Sequence, residues 1–380
     1  MMCIKNLFAI AASILLCSCG SKDVGEDPRF FAPDKFKVVN SAPDTTRVLK
    51  TELIQLDEVY NPQGLYIYGN MLFVPTSRDT KFLSIVDLRS LKPIIKIGHY
   101  GRGPNDFSMP RMNNHAYCND NNELMLEICD RFGFKSINVT KSVKESGTFL
   151  SESKKYSEIY KDERISHNGN KIVFKYGADR YFIKQDMTYR DAREGTFSPP
   201  TYIFKRGTEQ SYVDIFPQSI ESIKKNSREA MFVYSGYTRL KPDGSKVVDV
   251  MQMFDYINII DLSSKKVTTV GNANSKRFIS SYEEGDMYAA YASNRNVCVT
   301  DKYIIVLTVG DILCDAPDGS TRVWHSIRVF DWKGNFISSA MLPKGLAPLF
   351  MAYDENNEDL YFCVHTDETF YRSNISDLLK

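Results

Sequence analysis

The sequence predicts an all-β chain folded as a β-propeller, and three observations carry the prediction. Short runs rich in Val, Ile, Tyr and Phe, bounded by Asn, Asp and Gly, recur along the 380 residues, whereas long amphipathic helices are hard to find. Apolar strands end repeatedly at an Asp or Asn that opens a turn. A sharp Asn/Asp/Gly turn between two apolar strands precedes most of these marks. An all-strand repeat with a period of roughly 40–75 residues is the signature of four-stranded blades arranged around an axis.

The strand-ending marks fall at Asp87, Asn138, Asp186, Asp261, Asp331 and Asn374. The paired-strand turns lie within Tyr68–Val74, Asn119–Leu126, His167–Phe174, Thr300–Val306 and Asp354–Phe362. Asn, Asp and Gly suit these turns because tight hairpins need positive φ. Six marks predict six blades in one domain over residues 51–380, with a seven-bladed ring as the alternative. The last unit stops soon after its third strand, at Lys380. Its missing outer strand is assigned to Glu52–Leu56, so the two ends of the chain close the ring and remove its exposed edges.

The first residues read as an address. An apolar run from Leu7 to Leu16 follows Lys5, the only charge before Cys19, and leads into Leu16-Cys17-Ser18-Cys19. About 10 apolar residues cannot span ~30 Å of hydrocarbon as a helix. A positive start, a short apolar core and a small residue before cysteine form a bacterial secretory signal with a lipoprotein cleavage site. Residues 1–18 are therefore expected to be a signal peptide, Cys19 the lipidated first residue, and 19–50 a linker. The acid-rich stretch Gly20–Asp27 resembles the export signal that follows the lipidated cysteine in surface lipoproteins of Bacteroidota. The expected location is the outer membrane, on its periplasmic or cell-surface side, with the bilayer as a partner through the lipid.

Charge excludes one class of partner. The chain carries 48 basic and 47 acidic residues, and loss of residues 1–18 with Lys5 brings the balance to zero. Such a chain has no global attraction for nucleic acid. Beyond Cys19 the cysteines are Cys118, Cys129, Cys298, Cys314 and Cys363, an odd number with no CxxC or zinc spacing. Several sit inside apolar strands and read as small buried hydrophobes.

The segment Gly98-His99-Tyr100-Gly101-Arg102-Gly103-Pro104-Asn105-Asp106-Phe107-Ser108-Met109-Pro110 carries a family resemblance. It is similar to the Gly-rich, acidic-Phe-x-x-Pro connection of NHL-type propellers. Together with the lipoprotein signal, it makes the chain resemble the TolB-like six-bladed propeller lipoproteins of Bacteroidota. The resemblance implies a fold and an envelope location and leaves the activity open. Phe107 is expected to pack between blades, and Pro110 to lead into the next inner strand.

No zinc-protease, nucleophile-elbow or EF-hand motif is present, and no cofactor or metal is expected. The acidic turn Asp354–Asp359 reads as a solvated hairpin, and His325 and His365 as strand histidines. One recurring feature points to a binding face. Arg78-Asp79, Asp130-Arg131 and Asp179-Arg180 each follow an apolar strand, and Arg102 lies in the first connection between blades. If these pairs occupy equivalent loops between second and third strands, they form a charged arc around one channel mouth. Such an arc serves either ion pairing between blades or recognition of a carboxylate, sugar acid or peptide by Arg. Thr238–Lys246 and Cys314–Thr321, each with a Pro-Asp-Gly-Ser turn, read as extended hairpins on the same face. Two functions follow: a lipid-anchored module binding a peptide, glycan or protein, and, as the alternative, a carboxylate-dependent hydrolase or lyase working at the channel mouth.

Overall fold

The computed structural model describes residues 35–40, 44, 46–77, 79–131, 133–155, 158, 171–176, 179–186, 201–206, 209–214, 235–252, 255–272, 294–309 and 325–380. Two short strands, β1 (Lys35–Val39) and β2 (Glu52–Ile54), come first. Blade I is β3 (Tyr66–Tyr68), β4 (Met71–Pro75), β5 (Lys81–Asp87) and β6 (Pro93–His99). Blade II is β7 (Arg111–Cys118), β8 (Leu124–Cys129), β9 (Gly133–Asn138) and β10 (Leu150–Lys155), with helix α1 (Val139–Lys144) before its outer strand. A separate meander follows: β11 (Lys171–Tyr176), β12 (Asp179–Asp186), β13 (Thr201–Arg206) and β14 (Glu209–Asp214). Blade III is β15 (Gly236–Leu240), β16 (Lys246–Met251), β17 (Tyr256–Asp261) and β18 (Val267–Asn272). Blade IV is β19 (Asn294–Val299), β20 (Tyr303–Val309), β21 (His325–Asp331) and β22 (Phe336–Met341). Blade V is β23 (Phe350–Asp354), β24 (Asp359–Val364) and β25 (Thr369–Asn374), completed by β2.

The protein is all-β with a propeller arrangement, but the ring has five blades, not the six or seven expected. Its inner strands meet in the closed circuit β3, β7, β15, β19, β23 and back to β3. The β11–β14 sheet packs on β7 and β8, while β7 meets β15 directly. The miscount has a physical origin. Asp87, Asn138, Asp261, Asp331 and Asn374 each end the third strand of a blade, whereas Asp186 ends the second strand of the separate sheet.

The five in-register residues share a task. The Asp87 carboxylate accepts from Arg89 N and Ser90 N, and that of Asp261 from Ser263 N and Ser264 N. Asp331 accepts from Lys333 N and Asn335 N, Asn138 from Lys141 N, and Asn374 from Ser376 N. These bonds satisfy the backbone where a third strand stops and turns. They also stabilise the ionised form, holding Asp261 down at about 2.

Apolar faces bury themselves between neighbouring blades. Phe73, Phe82, Phe107, Leu126 and Ile137 fill the seam between blades I and II. Phe107 is fully buried, with its ring centroid 4.7 Å from that of Phe82. The placement of the Phe82 ring requires glycine at position 98, where φ is +75° and a Cβ would lie 2.1 Å from Phe82 Cε1. Val248, Val306 and Phe330 join blades III and IV, Ile305, Ile327 and Phe362 join IV and V, and Leu72, Val86 and Phe370 join V and I.

The N-terminal segment runs along the outside of three successive blades. β1 pairs in parallel with β18 as a fifth strand of blade III. Leu49 N donates to Met341 O at 2.9 Å and Met341 N to Arg47 O at 2.8 Å, against the edge of blade IV. β2 pairs antiparallel with β25, the closure sought at 52–56, over Glu52–Ile54. Residues 35–39 and 47–49, within the stretch read as linker, are therefore paired with sheet edges.

One expected hairpin is corrected. Residues 236–240 are the inner strand β15, and a tight turn follows in which Gly244 N donates to Lys241 O at 2.8 Å. This turn joins first and second strands, so it lies at the end of the ring opposite the connections between blades. The companion at 314–321 lies outside the described residues, as do residues 1–18 and Cys19.

Candidate functional site

The entry ends of the inner strands surround a cavity of about 650 Å³ at the ring axis, of a size that suits a small organic ligand. Its lining includes Tyr66, Tyr100, Arg111, Tyr237, Arg239 and Gln252. Among the described residues it contains two arginines and no Asp, Glu or His. Blade I supplies Tyr66, whose hydroxyl donates to Met112 O at 2.9 Å and ties β3 to β7. Tyr100 donates to Thr76 O at 2.7 Å. The lip at Ser108 and Met109 is held from behind by Asp130, which accepts from Ser108 N at 3.1 Å and from Met109 N at 2.6 Å.

Blade III supplies the charge. Arg239 follows Tyr237 and Thr238 along β15, and its Nη1 donates to Thr238 O at 3.0 Å. Thr238 is fixed in turn by donation from its Oγ1 to Asp249 Oδ1 at 2.8 Å. Arg239 Nε is buried without a hydrogen-bond partner, and so is Arg295 Nε on the neighbouring inner strand β19. Burial raises the pKa of Tyr237, and the charges of Arg295 and Arg239 oppose the rise. Burial likewise raises Tyr66 against the pull of Arg239. Both phenols therefore stay neutral at physiological pH.

Behind this wall, burial and then the Arg295 charge push the His325 imidazole down to about 4. Its unfolded value is near 6.5, so the unfolded chain binds the extra proton between those limits. Stability contributed by neutral His325 is full above pH 6.5 and is lost as the pH falls through that window toward 4. The loss is on the order of 3 kcal/mol at most. Denaturant titrations from pH 7 to 4 should show this slope, and His325→Asn should flatten it. Asp261 acts lower, between 3.8 and about 2, so the two contributions separate. An unchanged slope in the variant would exclude His325 as its source.

The residues singled out in the sequence divide between two places. Asp79, Arg102, Asp130 and Arg131 emerge with the second-to-third-strand loops and the blade connection, on the face where the cavity opens. Asp79 pairs with Lys96 Nζ at 2.8 Å and accepts from Thr80 N at 2.7 Å, which lowers its pKa, with the lysine contact first. Asp130 shapes the cavity lip, and Arg102 and Arg131 are exposed. Arg78 lies outside the described residues. Asp179 and Arg180 begin β12, beside the first turn of the separate sheet, and so do not share the loop position of the other pairs.

Arg111, Arg239 and Arg295, which carry positive charge to the axis, were not legible as a group. They come from three different inner strands: Arg111 opens β7, Arg295 is the second residue of β19, and Arg239 lies near the end of β15. A signal did exist for the first, since Pro110-Arg111 marks the entry of a strand. The cysteines behave as buried apolar groups where expected: burial pushes Cys298 and Cys363 up to about 12 and Cys129 is buried, whereas Cys118 is exposed.

No family model and no curated protein matches this chain. A member of the DUF4221 family from Bacteroides vulgatus superposes with a TM-score of 0.50 at 12% identity, over 86% of this chain and 97% of that one. A putative exported protein from Bacteroides fragilis gives a TM-score of 0.48 at 10% identity, over 86% and 87% of the two chains. At this identity the likeness is one of fold.

Proposed function

We propose that this chain is a binding module that seats its ligand in the axial cavity, with Tyr66, Tyr237 and Arg239 as contacts. The observation that carries this reading is the cavity itself: concave, walled by aromatic rings, and supplied with a few polar groups on a rigid ring. Asp79, Arg102 and Arg131 flank its mouth and serve an incoming peptide, glycan or protein. The alternative of a carboxylate-dependent hydrolase or lyase finds no carboxylate or histidine in the described lining to move a proton. Peptide and glycan arrays probed with the protein and with Tyr237→Ala test the reading. Binding of the array hits should fall at least about tenfold in a variant that still folds. Equal binding by both would place recognition elsewhere.

The module is proposed to be held at the outer membrane by lipid on Cys19, on the argument of the apolar segment, Ser18 and the polar tether that follows. Two or more acyl chains anchor stably where one does not. Cys19→Ala should move the protein from the membrane fraction to the soluble fraction of the producing cell. Retention in the membrane would remove the anchor assignment.

A further inference from the structure

We propose that the axial cavity is a carboxylate site, taking a small organic acid with a flat, ring-sized body whose carboxylate pairs with Arg239 beside Arg295. The inference rests on the cavity reading above and adds the class of ligand.

The argument begins with cost. A guanidinium withdrawn from water is expensive unless its charge and its N–H groups are answered. Arg328, on β21 of the same protein, shows what an answered one looks like: Nη1 and Nη2 pair with Asp255, and Nε donates to Thr308 Oγ1 at 2.9 Å. At the axis the pattern is different. Arg239 has one side-chain bond, to a backbone carbonyl, and among the described residues no carboxylate pairs with it or with Arg295. Both side chains are half-buried, and in each the Nε atom itself is buried and unbonded. Two like charges act on Tyr237 from adjacent strands, beside a recess whose described lining holds no acidic residue, and make a focused positive potential.

Shape selects among anions. The planar guanidinium fork matches a carboxylate with two parallel hydrogen bonds. Tyr66, Tyr237 and Phe350 add flat walls that suit a ring. Gln252 sits at the same wall, its Oε1 accepting from Ser235 Oγ at 2.9 Å, and its side-chain amide carries two N–H donors for a ligand oxygen. Arg111, exposed at the rim, draws the acid toward the mouth.

Melting temperatures at constant ionic strength test this with benzoate and phenylacetate, their neutral amides, and sulfate. At about 20 mM each acid should raise the melting temperature by about 3 °C or more, and the amides and sulfate should not. Arg239→Met should abolish the shift while leaving the unliganded melting temperature equal or higher, because it removes an unanswered charge. Arg239→Lys should keep only part of the shift, since it lacks the fork. Equal shifts from acids and amides would overturn the carboxylate assignment and leave cavity binding standing. A shift from sulfate as large as that from the acids would also overturn it, as would a full acid response in Arg239→Met. If no compound acts and Tyr237→Ala leaves array binding unchanged, both readings fall together.

Discussion

Arg328→Ala is expected to destabilise the ring by about 3–5 kcal/mol, lowering the melting temperature by roughly 6–12 °C. The side chain is only 2% exposed, yet it reaches from blade IV to the loop of blade III that carries Asp255. Nη1 donates to Asp255 Oδ2 at 2.9 Å, Nη2 to Asp255 Oδ1, and Nη2 also to Asn294 Oδ1 at 3.0 Å. Asn294 extends the chain of bonds by donating from Nδ2 to Met251 O at 2.8 Å. Truncation therefore leaves Asp255 without its countercharge and removes the Nε donor to Thr308 Oγ1, while Asn294 Oδ1 keeps the Thr308 hydroxyl as a donor at 3.3 Å. The double variant Arg328→Leu/Asp255→Leu should recover much of the loss, because a well-packed apolar pair replaces a buried ion pair at little cost. Denaturant unfolding of the three variants measures this. A single-variant loss below about 1 kcal/mol would show that the bonds at this seam do not hold the blades together.

The second large effect is expected from deleting residues 51–58. The deletion removes β2, which supplies the fourth strand of blade V, and takes Ile54 and Leu56 out of the core between blades V and I. Each of those side chains is worth about 1.5–3 kcal/mol of burial. The edge of β25 then offers its unpaired N–H and C=O groups to other chains. The deleted protein should elute as oligomers or aggregate on size-exclusion chromatography, and a protease should cut it many times faster. A monomeric, protease-resistant product would show that the closure is dispensable.

The blades were legible because each repeats the same local physics. An apolar third strand ends at an Asx residue that ties down one or two backbone N–H groups two to four residues on, and residues 87, 138, 261, 331 and 374 announce this without reference to the rest of the chain. Asp186 shows the limit of the signal. The same residue type also ends a second strand, and only pairing partners tell the two apart. The hairpin turns carried their own evidence in positive φ, as at Gly69, Asn122 and Glu358. The cavity was less legible. Its face could be inferred from loop topology, and Asp130 does stand behind its lip. Its charged lining could not, because Arg111 and Arg239 come from strands that meet only once the circuit closes. The lacing of residues 35–49 was hidden for the same reason, since pairs such as Lys35 with Thr268 and Val48 with Met341 leave no local pattern, whereas the β2 closure showed itself in the missing outer strand of the last unit.

That lacing sets a schedule for the chain as it is made. Residues 35–54 emerge early from the ribosome, but their partners lie in β18, β22 and β25, which are made much later. Blade I can complete its own hairpins early, but the leading segment has nothing to join until most of the polypeptide exists. Contacts of such long sequence separation are slow to form. The same delay keeps the early part of the chain threadable: a polypeptide with this segment near its front could enter a narrow pore while the rest is still being built, and lock only when its tail arrives.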